Sequence, residues 1–187
     1  MNKGQLLIAT EAANLQLALD RSRPIEFSEH YDLCLRVVDY MLAEAKEAAN
    51  RAAMSYRHFH VGCAAFAFNQ EAPLGEQWKI FFGANVKAEN KPGIKQCAEV
   101  QAIQAARIAG YNLIIGVALY GPLQPDDDSG VKSNALHPCK AVCQPYFVKL
   151  RELQQMTDQT LIVSTGPDSF GTAMIILADL LRMHSTI

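Results

Sequence analysis

The sequence predicts an α/β domain, and three observations carry that prediction. Apolar residues recur every three or four positions from Cys34 to Ala52, with Arg36, Glu44, Lys46 and Glu47 between them, which is helical spacing. The period then changes: His60–Phe68 and Trp78–Val86 are β-rich runs separated by a segment carrying Pro73 and Gly75, as in a hairpin with a long loop. Leu113–Tyr120 (LIIGVALY) is an uninterrupted apolar run of strand length, the pattern of a strand buried on both faces. A helix, a hairpin and then alternating helices and strands around a central sheet make an α/β domain.

The remaining elements follow in order. Residues 1–27 read as an N-terminal helical extension, apolar-rich over Leu6–Leu19 and ending in Arg21-Ser22-Arg23-Pro24; residues 28–187 read as a single domain. Ser28 is the expected N-cap of the first long helix. The Ala-rich segment Cys97–Ala109 is helical, preceded by Pro92-Gly93 and closed by Gly110. Gly121–His137 is a polar loop with Pro122, Pro125 and Asp126-Asp127-Asp128, long enough to be functional or mobile. A helix over Pro145–Leu153, strands over Leu161–Ser164 and Ser169–Ile176, and a short helix over Ala178–Met183 complete the chain.

Composition narrows the function classes. Of 187 residues half are apolar and 19% charged, and 17 Lys and Arg stand against 19 Asp and Glu, for a net charge of −2. That balance argues against a non-specific nucleic-acid binder and favours a small ligand. No run reaches the about 18 apolar residues that a membrane span requires, and Glu11, Asn14 and Gln16 interrupt any signal-peptide core. Five cysteines, an odd number, point away from a disulfide framework and toward a reducing, cytoplasmic setting.

Two segments carry chemistry: Cys97-Ala98-Glu99 opening one helix, and Pro138-Cys139-Lys140-Ala141-Val142-Cys143 leading into the next. A helix N-terminus directs partial positive charge at what lies before it, which favours the thiolate that zinc requires. Three thiolates can hold Zn²⁺ and leave one tetrahedral position open, as in a catalytic site. Glu99, two residues from Cys97, is placed to reach a water there rather than the metal. Three His or Cys ligands with a carboxylate that is not a ligand are the signature of the zinc deaminases.

At these residues the sequence resembles the cytidine deaminase family, as a divergent member of the three-cysteine type. Tyr56-Arg57-His58-Phe59-His60-Val61-Gly62-Cys63-Ala64 is similar to the family's Tyr-x-x-Phe-x-Val-Gly-x-Ala run, and Gly83-Ala84-Asn85-Val86 to its Gly-x-Asn-Val segment. Cys97-Ala98-Glu99 with Ala102-Ile103 resembles its first zinc motif, and Gly110-Tyr111 and Ile176–Leu181 also match, so the likeness runs in order over about residues 30–183. The resemblance implies a three-layer fold with a central mixed five-stranded sheet flanked by helices. It implies Zn²⁺ on Cys97, Cys139 and Cys143, and hydrolytic deamination of cytidine, deoxycytidine or a related aminopyrimidine nucleoside, with Glu99 as the proton shuttle. By the same carry-over Phe59, Asn85, Lys87, Glu89 and Ala98 contact substrate. A cytoplasmic homo-oligomer, tetramer or dimer, working in pyrimidine salvage follows in the same way. The alternatives are deamination of a modified nucleoside or cytosine-bearing metabolite, as in the antibiotic deaminases, and a catalytically silent zinc protein of the same fold.

Four departures bear on the detail. Three residues, not two, separate Cys139 from Cys143, and Pro145 follows at once; both fit if the helix starts late, with Pro145 in its first turn and Cys139–Cys143 in the preceding loop. An Arg that offsets thiolate charge in relatives is replaced by Val100 and Gln144, leaving Lys140 or the helix dipoles. Asn85-Val86-Lys87-Ala88-Glu89-Asn90 puts Lys87 where a sugar-binding carboxylate is expected, and the loop before Pro138 is longer than usual. Cys34 and Cys63 read as packing residues. His137 is a substitute ligand only if Cys143 fails to reach the metal, and Lys87, Lys91 and Lys95 read as a solvated loop rather than a phosphate site.

Overall fold

A computed structural model describes residues 27–52, 60–73, 75–87, 95–122, 138–167 and 171–184. The expected N-terminal extension, the 123–137 part of the long loop, Phe59 and Glu89 lie outside the described residues. In chain order the elements are α1 (Phe27–Asn50), β1 (Gly62–Phe68), β2 (Trp78–Ala84), β3 (Val86–Lys87), β4 (Lys95–Gln96), α2 (Ala98–Ile108), β5 (Leu113–Tyr120), α3 (Cys143–Glu152), β6 (Leu161–Thr165), β7 (Ala173–Ile176) and α4 (Leu177–His184). Five strands form one mixed sheet in the order β2-β1-β5-β6-β7, antiparallel except for the β5–β6 pair. This is the predicted three-layer architecture.

The helix α1 begins at Phe27, so Ser28 lies inside it rather than capping it. Its buried stripe, Leu33, Cys34, Val37, Met41 and Ala45, packs on Ala64, Phe66, Ile115, Leu161 and Val163 of one sheet face. The opposite face, Cys63, Ala65, Ala67, Ile114, Val117, Leu119 and Ile162, packs on Ala102, Ile103 and Ala106 of α2, on Phe147 and Leu150 of α3, and on Leu177 and Leu180 of α4. The β5 strand carries an irregularity: Phe66 pairs with Gly116 but Ala67 with Ile114, so Ile115 is an extra residue. The bulge resets the alternation and turns Ile115 and Gly116 both toward α1. Cys34 Sγ lies 2.3 Å from where a Gly116 Cβ would stand, so the thiol fills the notch that glycine leaves. Cys34 is a packing residue, as expected.

Several boundaries differ from the sequence expectation. The hairpin strand β2 ends at Ala84, two residues short of Val86, because Asn85 leaves the ladder and Val86–Lys87 pairs instead with Lys95–Gln96. The β1 strand starts at Gly62 rather than His60, and β7 at Ala173 rather than Ser169.

One edge of the sheet gathers the site. Gly62 pairs with both Ala84 and Tyr120, and Tyr120 with Thr165, so β2, β5 and β6 all finish there. Two helices press on that edge through glycines. A Cβ at Gly62 would stand 1.9 Å from the Ala45 carbonyl oxygen and 2.4 Å from the Ala49 nitrogen of α1. A Cβ at Gly83 would stand 2.2 Å from the Ala98 carbonyl oxygen and 2.6 Å from the Ala102 nitrogen of α2. Backbone cannot yield as a side-chain tip can, so Gly62→Ala and Gly83→Ala should each cost about 3 kcal/mol or more. Gly171→Ala, with nothing within 4 Å of its Cβ, should change stability by less than about 1 kcal/mol. Urea unfolding midpoints check all three, and a stable Gly83→Ala protein would refute the close-packing account.

Candidate metal centre

The first turn of α2, seated on Gly83, brings Cys97 and Glu99 to the edge where β2 ends. Cys97 is the N-cap of α2 and Glu99 lies in its first turn. The chain leaving β5 returns at Pro138, and Cys139 lies in the turn before α3 while Cys143 is its first residue. The α3 helix therefore starts two residues earlier than Pro145, and Pro145 stands in its first turn, where a missing N–H costs nothing. Cys143 itself is helical rather than part of the preceding loop.

The sulfurs of Cys97, Cys139 and Cys143 converge, all within 4.8 Å of one another. Cys97 and Cys139 are hydrogen-bonded at 3.6 Å, and Cys143 Sγ donates to Cys139 Sγ at 3.4 Å. A tetrahedral zinc with Zn–S bonds of about 2.3 Å separates its sulfurs by about 3.8 Å, so the donor set fits a metal of that kind. The three-residue spacing does not keep Cys143 out.

Electrostatics point the same way. Hydrogen bonds from Cys143 and Cys97 hold the Cys139 thiol well below the usual thiol range, helped by the Cys143 and Val142 N–H groups against the opposing effect of burial. Donating to Cys139 pushes Cys97 up to about 12, with further help from burial and the Glu99 charge, and Cys143 is raised for the same leading reason. Three sulfurs this close do not ionise together without a cation to compensate them. Neighbouring N–H groups supply part of that: Cys143 N–H donates to Cys139 Sγ at 3.4 Å, and both helix N-termini face the cluster. Lys140 is exposed in the turn.

Glu99 is only 5% exposed, and burial pushes its carboxyl up to about 7, against the lowering effect of its own N–H and the Cys143 thiol. It is not a member of the three-sulfur group. Asn85 is buried beside the same edge; its Oδ1 accepts the Val61 N–H at 2.8 Å, and its own N–H donates to the Val61 carbonyl at 2.9 Å. Ala98 is wholly buried in the core. Lys87 ends β3, while Phe59, Glu89, His58 and His137 lie outside the described residues. The structure thus brings together Cys97, Glu99, Cys139 and Cys143.

Cys63 is a packing residue, as expected: it is wholly buried on the α2-facing side of β1, in the same core as Cys143 and Ala98. One residue was undervalued by sequence reasoning. Gln144 stands where an Arg was missed, yet it is 6% exposed and its Nε2 donates to the Pro138 carbonyl at 2.9 Å. All five cysteines are free thiols. No described helix is long and apolar enough to cross a membrane.

No family model matches the chain. Solved structures do. Cytidine deaminase from Burkholderia pseudomallei is 24% identical, with a TM-score of 0.56 over 76% of this chain and 94% of that one. A mutant cytidine deaminase from Mycobacterium tuberculosis is 24% identical, with a TM-score of 0.51 over 76% of this chain and 90% of that one. At such identity the likeness establishes architecture, and with the geometry above the conclusion is that the chain has the cytidine deaminase fold, with three cysteines placed to hold a metal ion.

Proposed function

We propose that the protein is a zinc-dependent hydrolytic deaminase of an aminopyrimidine nucleoside, cytidine or deoxycytidine in the first instance. The observation that carries this reading is a buried, protonatable carboxyl, Glu99, beside a three-thiol cluster to which it is not a ligand. Cys97, Cys139 and Cys143 would hold the zinc, which supplies Lewis acidity and makes a water easier to ionise near neutral pH. Glu99 takes the water proton and delivers it to ring nitrogen N3, so that C4 becomes electrophilic enough to accept the oxygen. It then takes the remaining proton of that oxygen and delivers it to the amine, and the C4–N bond breaks to release ammonia and leave the carbonyl product. Burial suits it to both halves, because it raises the carboxyl's hold on a proton above that of an exposed glutamate, so that it can take a proton and carry it to the ring.

By resemblance, Phe59, Asn85, Glu89 and Ala98 would contact substrate. Lys87, standing where a sugar-binding carboxylate is expected, favours a second reading: a modified nucleoside or a cytosine-bearing metabolite with an acidic group. Exposed Phe82 on edge strand β2 and Met174 on edge strand β7 offer surfaces that further copies of the chain can cover, in keeping with a homo-oligomer. Five free thiols suit a cytoplasmic, reducing setting.

The purified protein should carry about one zinc per chain, and Cys143→Ser should lose most of it by metal analysis. Glu99→Gln should keep the zinc and lower kcat by about 10²–10⁴. A panel of cytidine, deoxycytidine, modified cytosine nucleosides and cytosine conjugates, read by ammonia release, identifies the substrate. Zinc-replete wild-type protein that deaminates none of them would exclude the enzymatic reading in favour of a silent member of the fold.

A further inference from the structure

The segment Pro138–Gln144 is closed on itself twice. At the backbone, the Cys139 carbonyl accepts both the Cys143 and the Gln144 N–H, each at 3.1 Å. At the side chain, Gln144 Nε2 reaches back over the same turn to the Pro138 carbonyl at 2.9 Å. Cys139 and Cys143 are thereby held inside a small ring whose clasp is the Gln144 amide. The N-cap residue of α3, Val142, makes no capping bond with its side chain, so the turn from Cys139 does the capping and is fixed by it. The clasp is buried, with Pro138 buried and Gln144 6% exposed, where an unmade hydrogen bond costs more than at the surface.

We infer that Gln144 is a positioning residue for the metal centre: its amide, donating to the Pro138 carbonyl, sets the separation of Cys139 and Cys143 across their three-residue spacing. The inference rests on the zinc reading above. It gives Gln144 a role distinct from the charge compensation expected of a cation at that position. The amide is neutral; what it fixes is where the Cys139 sulfur stands relative to the helix that carries Cys143. Removing it frees the Pro138–Cys139 peptide to rotate, so the sulfurs must be gathered by the metal rather than presented to it.

Two variants test this. Gln144→Met keeps the length and volume and removes the donor. Gln144→Leu removes the polar group altogether at similar volume, and leucine is a good helix former, so the variant should fold. Zinc affinity is measured by chelator competition, and Co²⁺-substituted protein reports the thiolate–metal geometry through its charge-transfer and ligand-field absorption. Each variant should lose about 10–100-fold in zinc affinity, with a shifted cobalt spectrum, while the metal-free proteins melt within a few degrees of metal-free wild type. Unchanged zinc affinity and an unchanged cobalt spectrum in either folded variant would overturn the inference. Equal loss of stability with and without metal, with the cobalt spectrum intact, would also overturn it, since that is the signature of a merely structural residue. Wild-type protein that binds neither zinc nor cobalt defeats the metal reading itself, and the inference with it.

Discussion

Two missing Cβ atoms set the geometry on which this molecule depends. Gly62 and Gly83 sit side by side at one end of the β1–β2 ladder, and each admits a helix backbone to a distance that any side chain would forbid. The two helices approach from opposite faces, α1 on Gly62 and α2 on Gly83. A strand pair clamped between two helix backbones has little freedom to slide. The first turn of α2 is therefore fixed against the sheet, and with it Cys97 and Glu99. The same strand end also carries Asn85, whose side chain and backbone both bond Val61 and stop the hairpin from fraying where the site begins.

Charge then explains why the site takes the form it does. Three sulfurs within hydrogen-bond reach form an anion trap turned inside out: without a cation, one thiolate is stabilised at the expense of its neighbours' ionisation. Three thiolates and a divalent ion sum to −1, which opposes ionisation of a nearby water. Two helix N-termini facing the cluster offset part of this through partial charge, and α3 adds the specific Cys143 N–H. Glu99 meets the same field from outside the ligand set, and its burial keeps it protonatable. A carboxyl that ionised too readily would add a second negative charge to a site already negative.

What the sequence made legible follows the range of the interactions involved. The α1 stripe, the buried β5 run and the cysteine segments at the starts of α2 and α3 depend on neighbours in the chain, and periodicity or local spacing displays them. The β5 bulge was hidden, because in LIIGVALY every residue is apolar and no alternation marks where it is reset. The β3–β4 pair was hidden too: two-residue strands have no period, and they exist only because Val86 and Gln96 meet across an intervening segment. Cys63 read as a core cysteine inside a strand, and it is one. Gln144 read as an absence, a missing arginine, when its contribution is a contact with Pro138 that no composition or motif encodes.

The two irregularities of the second cysteine segment resolve into a single adjustment. An extra residue between Cys139 and Cys143 would carry the second sulfur away if α3 began at its usual distance from the first. Starting the helix at Cys143 leaves the N–H groups of Cys143 and Gln144 without intrahelical partners, and both turn back to Cys139. The next residue would present a third unpartnered N–H; it is Pro145, which has none. From Tyr146 on the ordinary helical ladder takes over, its N–H donating to the Val142 carbonyl. So the proline that looked like a helix breaker completes the cap, the cysteine carbonyl serves as the capping acceptor, and the longer spacing is absorbed at the one place where it keeps both sulfurs at the helix end.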